Sequence, residues 1–342
     1  MRVGFGLITC QRHPGDTRSD ADVYREAVEL SVLAEKSGFD SVWTSEHHFL
    51  DDGYMPSLLV LSAAIAQATQ RITIGTGVLL APLHHPLRLA EDAATVQLLS
   101  GGRLVLGIGA GWRPEEFEVL GVPLGERASR LRETVAILRG AWGPGAFSHE
   151  GRHWRLDRVN VTPKPHVPIP LWIGGFAEPA IRRAGRIADG FLGSSSGTSG
   201  IDGFRRAHKL AMEGLRQAGR DPSDFRFGLH VPVFAWDEGD AWELVKPWYH
   251  YLRWKYPDMG AARGSDTAAS PPPLTADEEA QLRSTIICGT PEQVVEELKQ
   301  FRDALGDDVH FICRSYFSGM PLDVQSRAVE IIGSRVIPAL RS

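Results

Sequence analysis

The chain has 342 residues, 43% of them hydrophobic and 23% charged, and carries a formal net charge of −5. That composition suits a soluble globular protein whose core is large enough to stand without staples. The mild negative balance and scattered basic residues argue against a nucleic-acid or anionic-membrane partner.

Short apolar runs that suit buried strands alternate with longer stretches at helical spacing. Arg2–Ile8 reads as the first strand, and Asp22–Lys36 as an amphipathic helix closed by Ser37-Gly38. Ser41–Ser45 is the second strand, Pro56–Thr69 a helix, Ile72–Leu80 the third strand and Pro86–Leu99 its helix. Leu104–Ile108 is the fourth strand. A long excursion over residues 109–170 follows, with a helix at Arg127–Trp142 and a hairpin in GRHWRLDRVNVTPKP. Leu171–Ile173, Asp189–Leu192 and Phe227–Ala235 are strands five to seven; Ala177–Ile187 and Gly203–Ala218 are helices five and six. A second excursion, residues 236–289, carries the aromatic run KPWYHYLRWKY and the stretch SDTAASPPPLTADEE, which reads as mobile. It suits either a lid or an ordinary surface loop. Pro291–Leu305 is a helix, Val309–Tyr316 the eighth strand and Pro321–Leu340 the closing helix.

Eight strand–helix pairs point to a parallel α/β fold, and right-handed crossovers close it most economically into one (β/α)₈ barrel. A doubly wound open sheet is the alternative. In a barrel, both excursions follow strand ends on the face where such folds carry their chemistry.

The strand ends are where the sequence turns unusual. Strand two runs into Glu46-His47-His48, and strand three into Thr76-Gly77-Val78 with a second pair, His84-His85, further on. Strand four ends in GIGAGW, strand five in IGGFAEP and strand six in LGSSSGTSG. Gly174 and Gly175 before a helix, with Ser194 and Ser195 after the next strand, can cradle one phosphate; they also suit plain turns. Gly107–Gly111 lacks the spacing of a dinucleotide fingerprint. Successive strand residues face opposite sides, so Glu46, His47 and His48 alone make a poor metal site. The expectation is no metal. His47 and His48 fit either an acid/base role at the barrel mouth or structural hydrogen bonds, while His84-His85, before Pro86, reads as structural. Three cysteines with no close pair suit a reducing cytoplasm, and no run suits a signal peptide or a membrane span.

Five motifs together resemble the bacterial luciferase-like flavin monooxygenases: SGFDSVWTSEHHF, ITIGTGVLLAPLHHPLRLAED, LSGGRLVLGIGAGW followed by EEFEVLG, PLWIGGFAEPAIRRAGRIADGF and ICGTPEQVVEEL. The resemblance spans most of the chain, from Val3 to about Gly193, with the last motif beyond. It implies a TIM-type barrel that binds reduced flavin mononucleotide (FMN), or a deazaflavin in some branches, at its mouth. It places His47 near the flavin as the acid/base residue. It implies a cis peptide at Gly77-Val78 under the ring, Thr76 beside it, and a phosphate loop at Gly174-Gly175-Phe176. Gly109 and Ala110 stand where luciferase proper has a cysteine and an arginine, so the phosphate-binding arginine is missing there; Arg113 is a possible substitute. That departure argues against true luciferase activity.

The expected function is a monooxygenase using reduced FMN and oxygen on a small organic substrate, with reduced flavin supplied by a separate reductase. The alternatives are a deazaflavin-dependent hydride-transfer enzyme and a non-catalytic flavin-binding protein. Trp112, Trp248, Tyr249, Tyr251 and Trp254 are candidates to cover the mouth, or to pack the second excursion onto the barrel. The resemblance further implies a homodimer, with helices two and three as a plausible interface.

Overall fold

The computed structural model describes residues 1–194, 200–261 and 270–342. In chain order the strands are β1 (Arg2–Ile8), β2 (Ser41–Thr44), β3 (Thr73–Thr76), β4 (Leu79–Leu80), β5 (Leu104–Gly109), β6 (Phe147–Glu150), β7 (Arg155–Val159), β8 (Leu171–Gly174), β9 (Gly190–Ser194), β10 (Arg226–Ala235), β11 (Ile287–Gly289) and β12 (His310–Arg314). The helices are α1 (Asp20–Lys36), α2 (Leu58–Ala68), α3 (Pro86–Leu99), α4 (Pro114–Val119), α5 (Arg127–Trp142), α6 (Glu178–Ile187), α7 (Gly200–Gln217), α8 (Ala241–Ala261), α9 (Ala276–Arg283), α10 (Pro291–Leu305), α11 (Leu322–Ile331) and α12 (Ile337–Arg341). Eight strands pair in parallel in the order β1-β2-β3-β5-β8-β9-β10-β12. β12 returns to β1 and closes the barrel, with Arg2 opposite His310 and Gly6 opposite Arg314. The open-sheet alternative falls on that pairing. No helix among the described residues is long and apolar enough to cross a membrane.

Local signals set the helix starts. Ser19 and Asp22 form a reciprocal capping box on α1, and Thr290 with Gln293 does the same on α10, where Pro291 occupies the first turn. The main core lies between the barrel and its helices. Inside the barrel, Leu7, Trp43, Trp172, Leu192 and Ile312 form a separate apolar layer. Trp43 and Trp172 fill its centre with ring centroids 5.4 Å apart. They fit because their neighbours are small: a Cβ on Gly75 or Gly228 would overlap an indole. The barrel is therefore plugged below its mouth.

Three expectations change. The third strand breaks after Thr76 at a cis Gly77–Val78 peptide and resumes as β4. The hairpin starts earlier than its sequence suggested, at Phe147, and turns at 151–154. The described residues of the second excursion form regular structure: α8 and α9 pack with Phe234 and Phe317 in a core of their own, and β11 extends the sheet beside β10. Of the stretch 265–279, residues 265–269 lie outside the described residues.

Candidate active site

Side chains from the C-terminal ends of the barrel strands surround a cavity of about 540 Å³. The alternation of strand two explains its polar ending. Trp43 lies in the barrel interior; Ser45 and His47, two and four residues on, keep to the cavity side. Thr44 and His48 do not line it, whereas Glu46, past the strand's end at Thr44, does.

His47 is buried, and its Nδ1 lies 2.8 Å from Glu116 Oε1. Glu116 sits on α4, just past strand four, and is fully buried. The same Oε1 accepts the His48 backbone N–H at 3.0 Å, while Oε2 is buried without a partner. With the carboxylate accepting, Nδ1 carries the ring proton, and Nε2 is the nitrogen left to face the cavity as a base. Tyr54, Trp112 and Tyr256 meet the imidazole edge-on, with centroids 4.9, 6.0 and 6.1 Å away. These aromatic walls enclose the imidazole.

Glu46 gathers one histidine from each pair, His48 and His84. Its Oε1 accepts from His48 Nε2 at 2.8 Å and His84 Nε2 at 2.9 Å; its Oε2 accepts the Leu80 amide at 2.7 Å. Burial raises this carboxyl, but the hydrogen bonds from His48 and His84 outweigh it and hold the pKa at about 2. The donor atoms of Glu46, His48 and His84 lie within 4.8 Å of one another. That is metal-ligand proximity, in a set different from the Glu46-His47-His48 trio weighed from sequence. As it stands, each donor is spent on a neighbour, and the network pins β4 to the loop after β2.

The glycines form the slot. Val78 packs where two strand ends are bare: a Cβ on Gly109 would come 2.5 Å from Val78 Cγ2, and one on Gly174 would come 2.8 Å from Val78 Cγ1. The cis peptide expected at Gly77–Val78 is present. Gly77, Val78, Gly109, Ala110, Gly174, Gly175, Phe176 and Ser194 all line the cavity. Thr76 does not. It is buried with its hydroxyl on Gly107 O at 2.7 Å, because alternation turns it away from the mouth. Ser195 lies outside the described residues.

Arg113 does not supply the missing phosphate arginine either. Its Nε donates to Met259 O at 2.8 Å and its Nη1 to His48 O at 2.7 Å, with Glu115 on Nη2, so it ties α8 to the barrel. Arg127 and Arg183 line the cavity at the glycine end instead. Arg183 Nε is buried without a partner. Burial, then the charges of Arg132 and Arg186, push its pKa below the usual arginine value. Such a group favours an anion.

Of the aromatic candidates, only Trp112 lines the cavity. Tyr249 is buried with its hydroxyl on Thr285 O at 2.9 Å, and Tyr251 donates to Asp52 at 3.1 Å, so those rings pack α8 down. Tyr256, in the same aromatic run, does reach the cavity, as do His230 and Arg314. Sequence reasoning passed over Glu116, Arg127, Arg183, His230, Arg314 and Tyr256. The only signal was position: Arg314 ends a strand, and Glu116 lies within the EEFEVLG motif.

Residues 1–308 match the family model described as luciferase-like monooxygenase. The chain belongs to this family. Among relatives of this luciferase-like protein, an F420-dependent glucose-6-phosphate dehydrogenase of Nakamurella multipartita is 30% identical over 338 residues, covering 93% of each chain. The oxygenase component of a flavin-dependent trigonelline monooxygenase of Acinetobacter baylyi is 31% identical over 173 residues, 49% of this chain and 48% of that protein. In fold, the luciferase-like barrel matches the crystal structure of a Streptomyces bottropensis monooxygenase with a TM-score of 0.83. That match covers 99% of both chains at 23% identity, a likeness of fold alone. The luciferase-like family makes this chain an oxidoreductase with a flavin-type cofactor.

Proposed function

We propose that this enzyme transfers a hydride between a small organic substrate and a deazaflavin, with His47 as the proton acceptor and Glu116 holding it. The observation that carries this reading is the buried His47–Glu116 pair on the wall of a glycine-cradled cavity. The bare strand ends at Gly109 and Gly174 let the Val78 side chain pack against the barrel, and Gly77, Val78, Gly109 and Gly174 together offer a wall for a flat ring; Arg183 and Arg127 line the same cavity as Gly174-Gly175 and would meet a phosphate held there. A relative matched along 93% of its length is named as F420-dependent, and coenzyme F420 is a deazaflavin.

A bound deazaflavin supplies a two-electron hydride acceptor that is slow to react with oxygen. The chain does the rest. His47 Nε2 accepts the hydroxyl proton as the substrate is oxidised. Glu116, kept from water, stabilises the imidazolium that forms. Tyr54 is held protonated by burial and donates to Ser45 Oγ at 2.9 Å, so it supplies shape rather than a second base.

A second reading, reduced FMN with oxygen and a separate reductase, is favoured by the EHHF motif and by the relative named as a flavin-dependent monooxygenase. Anaerobic titration separates the two. The first reading expects tight binding of the deazaflavin and substrate-dependent bleaching without oxygen. Tight binding of reduced FMN alone, with substrate-coupled oxygen uptake, would replace it with the second. A homodimer through α2 and α3 belongs to the same reading. Val60, Leu98 and Leu99 are exposed on those helices, and sedimentation at micromolar concentration would show a dimer or a monomer.

A further inference from the structure

The wall across from the glycine cradle carries a cation that proton transfer at His47 leaves unused. β12 ends at Arg314. Ile312 belongs to the apolar layer inside the barrel, so Arg314, two residues on, projects to the same side one layer nearer the mouth. It lines the cavity and is only 7% exposed. Its Nε is buried without a hydrogen bond, and among the described residues no carboxylate pairs with its guanidinium. The ionisable groups around it are the phenols of Tyr54, Tyr256 and Tyr249, the imidazole of His230 and a second cation, Arg253. None of them is an anion at neutral pH.

His230 adds to the arrangement. It stands opposite Ile312 on β10, and its Nδ1 is buried without a partner. Burial, then the charge of Arg314, takes its pKa down to about 3, so it offers a hydrogen bond and no charge. A guanidinium buried away from counter-charge destabilises a fold; proteins keep one where a ligand brings the opposite charge. The cofactor's phosphate end is elsewhere: Gly175 and Arg183 follow β8, three strands round the barrel from β12. Tyr54 and Tyr256 bridge the two features, since both face Arg314 and both touch the His47 ring.

We propose that Arg314 and His230 form the substrate-anchoring subsite, and that the substrate is a small organic oxyanion, a carboxylate or phosphate, gripped there with its reacting carbon toward His47. This rests on the reading that the glycine-cradled part of the same cavity holds the flavin-type cofactor. The competing source of negative charge is the reduced cofactor ring itself.

The test uses flavin-free protein and its intrinsic tryptophan fluorescence, to which Trp112 on the cavity wall contributes. Benzoate, uncharged benzamide and inorganic phosphate are titrated into wild type, Arg314→Met and Arg314→Lys. Riboflavin and FMN affinities, for the oxidised and the dithionite-reduced forms, are measured alongside. Expected is binding of benzoate or phosphate to wild type, a loss of at least ~10-fold in Arg314→Met with partial retention in Arg314→Lys, and flavin affinities within about 2-fold. Removing a buried, unpaired charge leaves the Met variant at least as heat-stable as wild type, which a melting curve checks. Should the Met variant misfold, Arg314→Lys against wild type carries the comparison, with at least a ~3-fold loss of anion affinity expected. Equal anion affinity in wild type and both variants overturns the proposal, as does failure of wild type to bind either anion. Loss of riboflavin and FMN binding in Arg314→Met, with benzoate binding intact, also overturns it and gives the cation to the ring. Failure of wild type to bind any flavin or deazaflavin would sink the cofactor reading by itself, because the anion titrations contain no cofactor.

Discussion

Glu116 Oε1 accepts from His47 Nδ1 at 2.8 Å, across 69 residues of chain, and in doing so sets which imidazole nitrogen faces the cavity. The carboxylate reaches the ring because α4 begins at Pro114, soon after β5 ends at Gly109, and buries Glu116. Replacing His47 with Ala is expected to lower turnover by ~10²-fold or more while flavin or deazaflavin affinity stays within about 2-fold. Steady-state kinetics with a cofactor titration on the same preparation checks both numbers.

Glu116→Gln keeps the shape of the side chain but removes the charge that stabilises imidazolium. Turnover is expected to fall ~10- to 100-fold with little change in KM. Turnover unchanged in Glu116→Gln would mean that Glu116 only supports the loop.

The Glu46 network gives stability a pH window. A carboxyl held at about 2, against an ordinary value of 4.5, contributes fully above 4.5 and loses that contribution as pH falls toward 2. His84 runs the other way. Burial works against its charge, but the hydrogen bond to Glu46 raises its pKa above 6.5; its contribution is complete below 6.5 and fades as pH climbs through the raised value. The melting-temperature gap between wild type and Glu46→Gln should therefore peak between pH 4.5 and 6.5. Scanning fluorimetry from pH 3 to 9, at roughly half-unit steps, measures it.

A charge placed in the phosphate cradle should discriminate among ligands. A Cβ at Gly175 meets Ala180 Cβ at 2.9 Å, so Gly175→Glu also crowds the start of α6. FMN affinity is expected to drop by ~10-fold or more, and riboflavin affinity by much less, because only FMN carries the phosphate. Equal losses for both ligands would move the phosphate elsewhere.

Trp43 tests the plug beneath the site. It is fully buried between Trp172 and the bare Gly75, and its Nε1 donates to Ser41 Oγ at 2.7 Å. Trp43→Ala is expected to cost ~3–5 kcal/mol by urea denaturation. It should also loosen cofactor binding, since the layer that carries the floor of the slot would sag.

Much of the molecule was legible in the chain itself. Eight apolar runs separated by helical spacing point to a parallel α/β fold, because local periodicity decides which face each element buries, while closure into a barrel was settled by the pairing of β12 with β1. Histidine and glycine at strand ends are conspicuous one residue at a time, so the chain offered His47, His48, Gly174 and Gly175 as candidates, and the resemblance added Gly77, Val78 and Gly109; which of them line the cavity was left to the fold. Thr76 was misplaced by a single step of alternation, where the break at Gly77–Val78 interrupts the strand.

What the tertiary structure alone decided is who meets whom. Glu116 finds His47, His84 joins Glu46, and Arg314 arrives beside Tyr54 and Tyr256 only when the last strand closes on the first. An isolated glutamate or arginine in a sequence has no sign of burial about it. Its meaning lies in the cost of desolvating a charge against whatever partner the fold brings, and closure of the barrel brings those partners from opposite ends of the chain.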